Sequence, residues 1–134
     1  RGRINMSKIL FVGQERSRLA QERGVYWEDE AQCANQLFRA LRENNINPKE
    51  CFFINLFTDE SDGLPLTKKT INKKGLNKIK KWRGNVVGMG SIVRKKLHQL
   101  KISHKHIIHP SARGKIRAKA NYIQHISEKI GDLV

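Results

Sequence analysis

Acidic residues are scarce in this chain, and its second half nearly lacks them. Residues 1–66 carry 9 Lys+Arg against 10 Asp+Glu, a net of −1. Residues 67–134 carry 18 Lys+Arg against 2 Asp+Glu, a net of +16. Cysteine is also sparse. Cys33 and Cys51 supply neither a disulfide framework nor a four-cysteine metal site, and they read as buried free thiols in a reducing compartment. No apolar run approaches the ~20 residues of a membrane helix. No secretory signal is legible: Arg1 to Asn5 is short and polar and reads as an expression remnant or a disordered tail. Three prolines and ten glycines are too few for a low-complexity or collagen-like chain.

What is present fits a globular domain. The 134 residues are 38% hydrophobic and 29% charged, enough for one core. One domain is expected from Met6 to Val134, cytoplasmic or nuclear rather than secreted, and monomeric. The basic half points to a polyanionic partner, because phosphates shed counterions when cations bind them. A solvated basic face is the plainer alternative.

The apolar runs and periodicities alternate. Lys8 to Val12 reads as a buried strand ending at Gly13. Glu28 to Glu43 reads as a helix with Ala31, Ala34, Phe38 and Leu41 on one face. Cys51 to Phe57 is a second strand. Thr67 to Trp82 is Lys-rich, with Ile71, Ile79 and Trp82 as anchors and Gly75 weakening it as one helix. Asn85 to Met89 is a third strand and Ser91 to Leu100 a helix, with Val93, Leu97 and Leu100 inward. Lys105 to Ile108 is a fourth strand. Lys115 to Ile130 is a final helix, with Ile116, Ala120, Ile123 and Ile130 inward. Arg16 to Glu28 and Thr58 to Leu66 read as loops. Strand–helix alternation predicts an α/β fold, three-layer α/β/α, with a four-stranded parallel sheet.

Ligands of open parallel sheets bind at the carboxyl ends of the strands. Each strand here ends in polar groups: Gly13-Gln14-Glu15, Asn55, Gly90-Ser91 and His109-Pro110-Ser111. Glu15 is placed to activate water or to stabilise a developing cation; it is equally a charged loop residue or a cap. Asn55, an amide in an apolar strand, needs hydrogen bonds. They go to loop backbone or to a base edge, for which an amide offers both donor and acceptor. Gly88-Met89-Gly90-Ser91 runs from strand into helix, where backbone can approach a phosphate. His109 is a candidate electrophile or acid, and Ser111 and Arg113 candidate phosphate ligands. His104, His106 and His109 lack acidic or cysteine neighbours, so no metal is expected. Tyr26 and Trp27, in the first loop, either stack on a base or pin the loop to the core.

In order, these residues resemble the uracil-DNA glycosylase superfamily. Gly13-Gln14-Glu15 resembles the turn after the family's first strand. Phe53-Ile54-Asn55-Leu56 resembles the strand with the base-reading asparagine. Val87 to Ser91 with Arg94-Lys95-Lys96 resembles the third strand and its basic helix, and His109-Pro110-Ser111 resembles the His-Pro-Ser motif. The likeness runs from about Lys8 to Ile126. It implies a compact, divergent member that flips uracil or a related pyrimidine, modified or not, out of single- or double-stranded DNA and hydrolyses its N-glycosidic bond. Glu15 and His109 would carry catalysis. Gln14, Asn55, Tyr26 and Trp27 would bind the base. Ser91, Lys95, Ser111, Arg113 and Lys115 would hold DNA phosphates. No cofactor or metal is implied, and the iron–sulfur branches, which need four cysteines, do not fit. Three features depart from the family pattern. Glu15, Arg16 and Ser17 stand where Asp, Pro and Tyr are usual. Ser17 leaves open a wall that Tyr26 or Trp27 would have to fill. Ala112-Arg113-Gly114 replaces an apolar wedge. A glycosylase-like protein that binds DNA or a modified base without cutting is the main alternative, and an enzyme acting on free nucleotides or nucleosides is the second.

Overall fold

The computed structural model describes residues 8–30 and 33–133, with Cys33 described by its backbone alone. Ala31, Met6 and the tail Arg1 to Asn5 therefore lie outside the described residues. In chain order the main elements are β1 (Ile9–Gly13), α1 (Arg18–Arg23), α2 (Cys33–Glu43), β2 (Phe52–Asn55), α3 (Lys73–Lys81), β3 (Asn85–Met89), α4 (Ser91–Gln99), β4 (Lys105–Ile107) and α5 (Lys119–Ile130).

The strands form one parallel sheet in the order β2-β1-β3-β4. Leu10 lies opposite Phe52 on one side and Val86 on the other, and Gly88 lies opposite His106. Side chains alternate across the sheet, so β1, β2 and β3 feed two cores, while β4 adds Ile107 to one of them. Ile9, Phe11, Val87, Met89 and Ile107 pack against Leu37, Phe38 and Leu41 of α2 and Tyr122, Ile126 and Ile130 of α5. Leu10, Val12 and Val86 pack on the opposite face against Ile79 of α3 and Val93 and Leu97 of α4. The fold is thus three-layer α/β/α, as the alternation predicts. Each fully buried aliphatic or aromatic side chain contributes on the order of 1.5–3 kcal/mol. No helix among the described residues is long and apolar enough to cross a membrane. Cys51 is half-buried, and burial pushes its thiol up to about 12.

Several boundaries differ from the sequence reading. The expected loop Arg16 to Glu28 contains α1, which Ser17 caps by accepting the Ala20 N–H at 3.1 Å. α2 starts at Cys33, not Glu28; a short 3-10 turn at Trp27–Asp29 precedes it, and Glu30 at φ 54 breaks the helical path. Strand β2 ends at Asn55, although the Leu56 and Phe57 N–H groups still bond to the Gly13 and Gln14 carbonyls at 2.9 Å. β4 ends at Ile107 and α4 at Gln99. In α3 the first turn begins only at Lys73, because Asn72 caps it through the Gly75 N–H. Gly75 lies inside that helix and serves close packing: a Cβ there would sit 2.7 Å from the Asn55 carbonyl oxygen. The inward face of α5 also differs. Tyr122, His125, Ile126 and Ile130 are buried, Ile116 and Ile123 only partly, and Ala120 is exposed.

Candidate active site

Three of the four polar strand ends, those of β1, β2 and β4, meet at one cleft of about 640 Å³ at the carboxyl edge of the sheet. Glu15, Tyr26, Trp27, Asn55, His109 and Ser111 all line it, together with Ser17 and Asn72. Gln14 does not line it; the residue is half-buried and its carbonyl receives the Phe57 N–H at 2.9 Å. Ser91, Lys95, Arg113 and Lys115 lie outside the lining and are exposed. The candidate catalytic residues Glu15 and His109 and the candidate base contacts Tyr26, Trp27 and Asn55 therefore share one cleft, whereas Gln14 and every phosphate candidate except Ser111 stand outside its lining.

His109 is positioned from below. Ile108, just before it, is held at both backbone groups by α5: Tyr122 Oη donates to its carbonyl at 2.7 Å, and its N–H donates to His125 Nε2 at 2.9 Å. These bonds explain why two polar-tipped residues face inward on α5. Gly90, at φ 93, makes the turn from β3 into α4, and a Cβ there would lie 3.4 Å from His109 Cβ. At that φ a side chain is strained.

The protonation of His109 follows from its neighbours. The Ser111 backbone N–H donates to Nδ1 at 3.1 Å, and Ser111 Oγ lies 2.7 Å from the same nitrogen. A backbone N–H can only donate, so Nδ1 is the acceptor and the ring proton sits on Nε2. Burial pushes the imidazole down to about 4. His109 is therefore a neutral donor through Nε2–H at physiological pH.

Glu15 has a partner that sequence reasoning missed. Lys69 Nζ donates to both carboxylate oxygens, at 3.0 and 2.9 Å, and to the Ser61 carbonyl at 3.0 Å. The side chains are 5% and 2% exposed, Glu15 and Lys69 respectively. Burial raises the Glu15 carboxyl, the Lys69 ammonium pulls it back, and burial is the larger effect.

Among the described residues, the Asn55 side chain pairs with a loop side chain rather than with loop backbone. Its Oδ1 receives Trp27 Nε1–H at 3.2 Å, while its backbone carbonyl receives Asn72 Nδ2 at 3.1 Å. Trp27 stacks on Phe53 with centroids 6.0 Å apart and stands 6.1 Å from the His109 ring. Tyr26 is 59% exposed, and the Arg16 guanidinium lies 4.3 Å from its ring centre. Arg16 in turn pairs with Asp59 at 2.8 Å. Asn72 and Arg16 are further lining residues with no local sequence signal beyond polarity.

Among the described residues, no group of three or more His, Cys, Asp or Glu side chains is placed to hold a metal ion. His104 Nδ1 lies instead 2.8 Å from the Ile102 carbonyl. The cleft can thus offer a buried carboxylate, a neutral imidazole donor and a carboxamide to a ligand held between aromatic walls. No protein-family model matches this chain, and no curated protein matches it.

Proposed function

We propose that this chain is a monofunctional DNA N-glycosylase that removes uracil or a related pyrimidine by hydrolysis. The observation that carries the reading is the neutral Nε2–H tautomer of His109 in a cleft shared with Glu15 and Asn55. As a glycosidic bond breaks, its electron pair moves onto the base and negative charge gathers on the base oxygen. A fixed N–H donor aimed at that oxygen stabilises the charge where it develops. A neutral imidazole supplies this donor without transferring its proton.

The remaining groups suit the other half of the reaction. Water adds through its oxygen to the anomeric carbon, the carbon–nitrogen bond breaks, and one water proton passes to Glu15. Burial raises the Glu15 carboxyl, which makes it a stronger base for that proton than an exposed carboxylate. Asn55 reads the base edge. Removing a base from DNA requires it to leave the stack, and a cleft of about 640 Å³ has room for one. The basic half supplies cations for the phosphates: between Thr67 and Lys101 the chain has no acidic residue.

A second reading has one observation in its favour. Lys69 occupies both oxygens of Glu15, which suits a protein that binds DNA or a modified base without cutting. Single-turnover incubation with oligonucleotides carrying one uracil, single- and double-stranded, followed by alkaline scission, separates the two. The parent is expected to cleave. His109→Ala should lose about 10²- to 10³-fold and Glu15→Ala about 10²- to 10⁴-fold. Tight binding without cleavage would support the second reading instead. A free-nucleoside enzyme would show activity on nucleosides and little dependence of binding on salt.

A further inference from the structure

We infer that Trp27 fixes the polarity of the Asn55 carboxamide, so that the cleft accepts a base with a carbonyl at the edge Asn55 reads and rejects one with an amino group there. The inference rests on the base-binding reading of this cleft and names the residue that sets its selectivity.

An indole N–H only donates. With Trp27 Nε1 3.2 Å from Oδ1, flipping the amide would set its NH₂ against another N–H, donor against donor. The amide is therefore held with oxygen toward Trp27. Its Nδ2 has no protein partner among the described residues, and Asn55 lines the cleft. The group left to meet a ligand is thus a donor, with the second lone pair of Oδ1 beside it.

The indole is itself held. Its face lies on Phe53 at an interplanar angle of 18°, and Phe53 stacks on Phe11 with centroids 5.3 Å apart and packs on Phe38 at 5.2 Å. Trp27 therefore serves less as an open stacking platform than as an anchored donor. Gly13 leaves the space in which the pair meets: a Cβ there would lie 3.0 Å from Asn55 Oδ1 and 3.2 Å from Trp27 Cζ2. Two positions far apart in sequence thus set one amide, one by donating and one by having no side chain.

The chemistry then divides the bases. Uracil and thymine present a carbonyl at the position where cytosine presents an amine. The free Nδ2–H groups complement the first and oppose the second. Without the Trp27 donor the amide can turn over to suit either base, at the loss of about one net hydrogen bond.

The test measures binding without cleavage. Oligonucleotides carry either 2′-fluoro-2′-deoxyuridine or 2′-fluoro-2′-deoxycytidine at one site, since the fluorine resists formation of the sugar cation. Fluorescence anisotropy gives the uracil-to-cytosine affinity ratio for the parent, Trp27→Phe and Gly13→Ala. Phe keeps the stacking and loses the N–H; Ala keeps the N–H and intrudes on the pair. The parent should prefer uracil, and the ratio should fall roughly three- to tenfold in Trp27→Phe, the worth of one such bond, and fall in Gly13→Ala as well. Thermal transitions, and the persisting indole N–H resonance of Trp82, report that each variant is folded. A parent without preference, or a ratio unmoved in both folded variants, overturns the inference. If the ratio shifts but the parent cleaves no uracil, the excision reading fails and this one stands. If the parent cleaves uracil and the ratio does not move, this one fails alone.

Discussion

Lys69 Nζ lies within 3.0 Å of both carboxylate oxygens of Glu15, and both side chains are nearly sealed from solvent. Removing one member of such a pair leaves the other as an unpaired buried charge, which costs about 3–5 kcal/mol. Lys69→Met should therefore destabilise the fold by that order at pH 8. The penalty should be smaller at pH 5. Without the ammonium, the Glu15 carboxyl rises further above its ordinary 4.5. The folded state then holds a proton that the unfolded chain releases, so stability falls as pH rises. Urea midpoints at the two pH values check this. The double variant Glu15→Gln/Lys69→Met should recover much of the loss, because no charge remains to strand.

Gly75→Ala sets two effects against each other. Alanine is favoured over glycine in a helix by about 1 kcal/mol. The new Cβ, however, would sit 2.7 Å from the Asn55 carbonyl oxygen and 3.0 Å from Asn72 Nδ2. The carbonyl is backbone and cannot swing away, so α3 must shift off β2. Overpacking of this kind costs about 1–3 kcal/mol. A net loss of stability in urea is expected, with weaker uracil binding because the displaced carbonyl belongs to Asn55, the proposed base reader. A stabilised variant would show that the contact relaxes freely.

The strands and the cleft were legible because both rest on local pattern. Lys8 to Val12 and Asn85 to Met89 are apolar runs of strand length, and a buried parallel strand that stops at a polar group marks its own carboxyl end. Glu15, Asn55 and His109 could be singled out for that reason. Lys69 could not. It stands in Thr67-Lys68-Lys69-Thr70, and nothing there distinguishes it from a solvated lysine; its burial is set by Glu15, 54 positions away. The α5 face was misread for a similar reason. Tyr122 and His125 carry polar tips, and they turn inward because the Ile108 backbone supplies their partners. Helix α1 was missed because it buries only Ala20, too little for a periodic stripe. Trp27 was recognised as part of the cleft, but whether it offered its face or its N–H depended on Phe53 and Asn55 reaching it from β2.

Two histidines tie the cleft to pH. Burial pushes His109 down to about 4 and lowers His125 below its ordinary 6.5. Both keep the neutral form to lower pH in the fold than in the unfolded chain. The stability contributed by His109 is complete above pH 6.5 and is lost as pH falls toward 4, and His125 acts in the same direction. Glu15, raised, acts with the opposite sign, so single variants are needed to separate them. His109→Gln should flatten the dependence of urea midpoint on pH between 6.5 and 4 by up to one proton. It should leave the dependence above pH 7 unchanged. An unaltered slope below 6.5 would mean that His109 titrates as it does in the unfolded chain. In single-turnover cleavage by the parent, an acid limb set by His109 should lie near pH 4 rather than 6.5.

The basic half makes its own prediction, because its cations are not evenly distributed over the fold. Helices α3 and α4 share one face of the sheet, and among the described residues none of their Lys or Arg side chains forms an ion pair. Both helices begin at the carboxyl edge, α3 next to Asn72 in the cleft and α4 directly after Gly90. Exposed Lys73, Lys78 and Lys81 on α3 and Lys95 on α4 therefore lie on a face that leads away from the mouth. If DNA follows that face, each cation in contact with a phosphate adds roughly 0.9 to the slope of log K against log salt. Replacing those four lysines with Gln should lower the slope for duplex DNA by up to about 3.6, and affinity should fall alike for oligonucleotides with and without uracil, since phosphate contacts carry no sequence. Replacing Lys119 and Lys129, which lie on α5 across the sheet, should change the slope little. Equal losses per lysine from the two faces would instead trace the binding to overall charge, with no preferred face.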